Sequence, residues 1–167
     1  KPNWLTPTVN DISNQLMTNI NQCAALNGVA LVALILHASE NKALAKHDLE
    51  KHLDFFLKIQ REAPFSKELT IPEENGADLL AHVISLNKVT ISEDSFGTII
   101  SLDSSASLEM RYYRNNILHT YALSSLICRL LTHNSRISNE QIVSQSINLL
   151  TTLKEDLFLW QTPEQVA

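Results

Sequence analysis

Hydrophobic positions recur along this 167-residue chain mostly at helical spacing. Val9, Ile12, Leu16 and Ile20 fall three, four and four apart, which predicts an amphipathic helix from about Thr8, behind a lead-in that Trp4 and Leu5 can pin to the body. Asn27-Gly28 punctuates it. Gly28–Ala38, GVALVALILHA, is apolar throughout and reads as a buried helix or a buried strand, with its Ala and Leu content favouring helix. Ser39–Lys42 is a turn, and Lys46–Glu62 places Leu49, Leu53, Phe56, Leu57 and Ile59 on one side of a helix. Charges of alternating sign on its other side, with Lys46–Glu50, Asp54–Lys58 and Lys58–Glu62 at i,i+4, mark a solvated face. The adjacent Phe55-Phe56 pair is expected in the core.

A loop with two prolines, Pro64 to Asn75, leads to a short helix over Gly76–Asn87. Lys88–Ser92 and Thr98–Leu102 predict two short strands closed by a turn at 93–97, hence a small β-hairpin. Asp103 or Ser104 can cap the longest helical pattern of the chain, Leu108–Leu131. Its second half, from Ile117, is apolar nearly all round and is expected to be core. It is shorter than the roughly 20 residues a bilayer requires. Ser138-Asn139-Glu140-Gln141 fits a capping box opening a last helix to about Leu159. The fold class is therefore mainly α: a helical domain with one small hairpin, a winged-helix-like first half, a long central helix and a C-terminal helix. The expected division is a helical subdomain over 1–103, ending in the hairpin at about 88–102, and a two-helix part over 104–167, packed as one domain.

Composition narrows the function classes. Thirteen basic against 18 acidic residues give a net charge of −5, the wrong sign for a general nucleic-acid binder. In a DNA-reading winged helix the third helix enters the groove, but Gly76–Asn87 offers Asp78, His82 and Ser85 with no Arg or Lys. Nucleic acid is not expected as a partner. Three glycines leave no phosphate-cradling loop, and two cysteines, Cys23 and Cys128, make neither a disulfide framework nor a zinc signature. No metal or cofactor is expected. The chain opens on KPNWLTPTVND without a methionine, as a piece of something longer would.

One polar cluster interrupts the apolar pattern: Arg111, Tyr112, Tyr113, Arg114, Asn115, Asn116 and His119, at the start of the central helix. With the run ISEDSFGTIISL at Ile91–Leu102, the segment RYYRNNILHTYALSSL at Arg111–Leu126 resembles the C-terminal part of the bacterial membrane-associated glycerol-3-phosphate 1-O-acyltransferase family. WLTPTVNDISNQLMTNIN and ASENKALAKHDLEKHLDFFLKIQREAPFS look like the same family in collinear order, so the resemblance covers essentially the whole chain. It implies a parent enzyme that moves an acyl group from acyl-CoA or acyl carrier protein to the 1-hydroxyl of glycerol 3-phosphate, the first step of phospholipid synthesis. It also implies a parent at the cytoplasmic face of the bacterial inner membrane, with the fragment itself soluble.

The family's chemistry rests on a His-x4-Asp motif, the histidine acting as general base. Five residues after the six histidines of this chain stand Lys42, His52, Leu57, Asn87, Ser124 and Ser138, none of them Asp. The chain thus resembles a downstream, non-catalytic portion; no catalytic residue is carried over, and the fragment alone is expected to be inactive. The partner implied is the catalytic domain of the same enzyme, through which acyl donor, glycerol 3-phosphate and membrane would be reached. The alternative is a stand-alone helical interaction domain without enzymatic activity.

Three readings compete for the polar cluster: internal satisfaction of buried groups, a docking face for the catalytic domain, and direct contact with a substrate phosphate through arginine. Tyr112, Tyr113, Arg114 and Asn116 form the candidate structural or docking hub. Arg111, Asn115 and His119, at i, i+4 and i+8 on a continuous helix, form the candidate substrate-facing stripe. Arg114 and Asn116 project about 160° apart and cannot line one pocket together.

Overall fold

Asn27 starts the central element. Its side-chain Oδ1 accepts from the N–H of Ala30 at 2.9 Å, capping α2, Gly28–Ala38. In the computed structural model, which describes residues 2–95 and 97–159, every residue of α2 from Ala30 to Leu36 is buried. The helix alternative for this apolar run is the one that forms. Around α2 gather α3 (Lys46–Glu62), which buries Leu49, Leu53, Leu57 and Gln60, and α4 (Gly76–Ser85), which buries Leu79, Leu80 and Val83. The fourth is α5, Ser104–Ile117, capped by Asp103 and burying Ser107, Met110 and Ile117.

Two glycines set how closely these helices approach. A Cβ at Gly28 would come within 3.0 Å of the carbonyl oxygen of Leu79, and one at Gly76 would collide with the carbonyl oxygen of Glu50. Asp54 does not form the expected i,i+4 pair with Lys58. Its Oδ1 accepts from the N–H of Gly76 at 2.6 Å instead and ties α3 to the start of α4. The other two pairs form, Lys46–Glu50 at 3.8 Å and Lys58–Glu62 at 3.7 Å. Phe55, expected in the core, stands 53% exposed, stacked edge-on to Phe56.

The hairpin is present as β2, Thr90–Asp94, and β3, Gly97–Ser101, with Gly97 at φ +119 entering β3. A third strand, β1, Ala43–Ala45, adds antiparallel to β3 with Leu44 opposite Ile100, giving the sheet order β1-β3-β2. The succession α2, β1, α3, α4, β2, β3 is that of a winged helix, with the connection from α3 to α4 running from Ala63 to Asn75. Three residues of unalternating composition gave no strand signal at β1. Ala24 and Thr70 pair across this connection, Thr70 N–H to Ala24 O at 3.0 Å and Leu26 N–H to Thr70 O at 2.9 Å.

These elements form one compact unit, Ala24–Leu118. Among the described residues, the other unit comprises 2–23 and 119–159. Its helices are α1, Leu5–Gln22; α6, Ala122–His133; and α7, Asn139–Leu157. α6 and α7 pack together, and Ser138 and Gln141 form the expected capping box in both directions. The predicted end of this last helix at Leu159 is cut short by Phe158, which turns left-handed at φ 48. The unit boundary lies at Leu118 rather than at 103/104, because α5 packs chiefly on α2.

The continuous central helix expected over 108–131 does not form. α5 ends at Ile117, a 3-10 turn follows over Leu118–Tyr121, and α6 starts after Tyr121 leaves the helical region at φ −108, ψ 4. Three consecutive buried residues, His119, Thr120 and Tyr121, occupy that turn. In an α-helix they would fan over about 200°, which no single packing face covers. Nor is α6 core as expected: none of its residues is fully buried, and Leu131 is exposed.

Candidate functional site

The outward surface of α5 carries most of the polar cluster. Asp103 fixes the helix start, and Met110 and Ile117 anchor its buried side, so Arg111, Tyr112, Asn115 and Asn116 project outward and are exposed. Tyr112, 69% exposed, stacks edge-on with half-buried Tyr113 at 5.9 Å between ring centroids. Arg114 donates from Nε and Nη2 to Asn115 Oδ1, at 3.1 and 2.8 Å. Next to them Lys88 Nζ lies 6.0 Å from the Tyr113 ring centre and donates to Glu109 Oε1, which raises the lysine pKa. The internal-satisfaction reading therefore does not describe Arg111, Tyr112, Asn115 or Asn116, whose side chains face outward.

His119 is placed differently. It lies beyond the end of α5, buried, with Nε2 donating to the carbonyl oxygen of Asn21 at 3.1 Å, and burial lowers its pKa against the opposing effect of that bond. The helical geometry joining Arg111, Asn115 and His119 in one stripe stops at Ile117. Arg111 and Asn115 keep their i,i+4 relation, and His119 belongs to the other unit.

Sequence reasoning missed a second polar group, in the unit 24–118. Lys42 Nζ donates to Ser107 Oγ at 2.8 Å; Ser107 Oγ in turn lies 3.3 Å from His37 Nε2, and His37 Nδ1 lies 2.7 Å from Ala33 O. His37 Nε2 also lies 3.1 Å from the carbonyl oxygen of Ser107, so the ring meets both the backbone and the hydroxyl of that residue. Asn41 and Lys42, both left-handed at φ 55 and 53, place the lysine for this reach. No spacing could have found it, since His37 and Ser107 lie 70 residues apart. Ser107 is buried, so the arrangement ties the loop after α2 to the first turns of α5 and does not present a nucleophile. Among the described residues no group of three His, Cys, Asp or Glu is placed to hold a metal ion, and no helix is long and apolar enough to cross a membrane.

The fold and its surfaces define a helical region with a winged-helix arrangement and an outward polar helix. Residues 1–167 match the family model described as the C-terminal region of glycerol-3-phosphate acyltransferase, and the chain belongs to that family. It is similar to a glycerol-3-phosphate acyltransferase of Colwellia psychrerythraea, 64% identical over 166 residues, which is 99% of this chain and 20% of that protein. Proteins of the same name from Aeromonas hydrophila and Shewanella pealeana are each 42% identical over 159 residues, 95% of this chain and 20% of theirs. The chain thus spans about one-fifth of the length of these relatives.

Proposed function

We propose that this region is the accessory C-terminal part of an enzyme that acylates the 1-hydroxyl of glycerol 3-phosphate from acyl-CoA or acyl carrier protein, and that it supports a catalytic segment lying in the remainder of the polypeptide. The observation that carries this reading is the combination of 64% identity over nearly the whole chain with coverage of only 20% of the relative. The lack of a His-x4-Asp motif in the sequence agrees with it. In this reading the parent works at the cytoplasmic face of the bacterial inner membrane. The exposed side of α5, with Tyr112 and Asn116, is a surface available to the rest of the enzyme, and Arg111 with Asn115 is the part of the former stripe still open to an anionic substrate.

The test is acyl transfer to glycerol 3-phosphate by three preparations: the full-length enzyme, the same enzyme cut back before this region, and the region alone. Activity is expected only in the first, with partial recovery when the two pieces are combined. Full activity in the shortened enzyme, or turnover by the region alone, would sink the reading.

A further inference from the structure

Helix α1 leaves exposed the aliphatic side that an amphipathic surface helix would bury. At about 100° per residue, Val9, Ile12, Leu16 and Ile20 share one side, and Asn10, Asn14, Thr18 and Asn21 the opposite one. On the polar side Thr18 and Asn21 are half-buried, and Asn10 and Asn14 are exposed. Asn10, Asn14 and Thr18 line a cleft of about 700 Å³ with Lys154, Phe158 and Leu159, and Asn21 Nδ2 donates to the carbonyl oxygen of Leu157 at 2.8 Å. The aliphatic side is left outward, with Val9, Ile12, Leu16 and Ile20 standing 52, 55, 57 and 61% exposed. No residue of α1 is buried. A surface helix normally does the reverse and turns its aliphatic stripe to the body it packs on.

The charge of α1 says what kind of surface covers that stripe. Asp11 is the one charged residue among 18, whereas α3, whose outer side faces water, carries eight among 17. Depletion of charge around an aliphatic centre is the composition of a protein–protein interface. A helix lying on an anionic lipid surface carries Lys and Arg on its polar side, and α1 has neither. Pairing with α1 of a second copy is also a poor match. Four positions spaced three, four and four span about two heptads, below the three to four that sustain a coiled coil. The relatives supply the occupant: this region is C-terminal, and about four-fifths of their chain lies outside it.

We infer that the aliphatic face of α1 is the surface on which the preceding, larger part of the same polypeptide docks. This rests on the accessory-region reading above and adds the surface through which the support acts.

The experiment uses the full-length enzyme in its native membranes. A photo-crosslinking benzoylphenylalanine is introduced at Leu16, at Ile12 and, as a control on an exposed position of α3, at Lys51. Cross-linked peptides are then mapped by mass spectrometry. The expected result is intramolecular cross-links from positions 12 and 16 to segments preceding this region, and none from position 51. Cross-links to a second copy, to lipid or to residues 24–167, or none above the control, would overturn the inference. In parallel, L16R is expected to lower acyl transfer by the full-length enzyme at least tenfold and L16M by less than twofold. The two ideas fail separately. Intramolecular cross-links with L16R fully active keep the docking surface and remove its role in supporting activity. Loss of activity on deleting the region, without the cross-links, keeps the accessory role and removes α1 as the contact.

Discussion

His119 is 5% exposed and held against the carbonyl oxygen of Asn21. Burial lowers its pKa from the usual 6.5, so the folded chain resists a proton that the unfolded chain accepts. Stability from this group is complete above about pH 6.5 and falls as the pH drops from there through the lowered folded value. The urea midpoint is therefore expected to fall between pH 7.5 and 5.5, and H119Q should flatten that dependence; an unchanged slope in the variant would clear His119. Ser146 is a different case, its Oγ buried in α7 without a hydrogen-bond partner among the described residues. An unpaired buried hydroxyl costs free energy, so S146A should leave stability unchanged or raise it by up to about 1 kcal/mol. Thermal unfolding checks this, and a clear loss would reveal a partner for the hydroxyl. At this scale the sequence sets His119 in a stripe with Arg111 and Asn115, and does not show that it is buried beyond the end of α5. It cannot pair His37 with Ser107, or show that Asn115 faces outward, because both depend on which elements meet.

Among the elements, the closest approach is that of α3 to α4 at Gly76. G76A would drive a methyl group into the backbone of α3 at Glu50 and should destabilise the chain by about 1–3 kcal/mol or more. Denaturant unfolding reads the effect, and a shift under 0.5 kcal/mol would mean that α4 slides aside freely. Helical spacing located α1, α3, α4 and the last helix because each has a distinct apolar side, whereas α2 is apolar all round and composition alone favoured helix. Three things stayed hidden for physical reasons. β1 has three residues and no alternation, and the break at 118–121 lies inside a run whose composition suits a helix throughout. Periodicity also shows that α1 has an aliphatic side without showing what lies against it.

For the whole chain, the sequence places a boundary after the hairpin, whereas the packing keeps α5 with α2 in the unit 24–118. Met110, Ile117 and Ser107 of α5 are buried there, so a piece ending at 103 loses part of its core. Residues 24–118 expressed alone are expected to melt cooperatively by circular dichroism, and residues 1–103 are not; cooperative melting of the shorter piece would restore the sequence boundary.

The three-stranded sheet carries a consequence for self-association. β3 is its middle strand, so β2 is an edge strand, and an edge strand is a template for a strand of another molecule. All five residues of β2 are exposed, and two of them, Glu93 and Asp94, are adjacent carboxylates. A second copy adding there parallel and in register would set its own Glu93 and Asp94 beside these, a like-charge encounter that opposes that pairing. The charge on β2 thus works against that one way of lengthening the sheet.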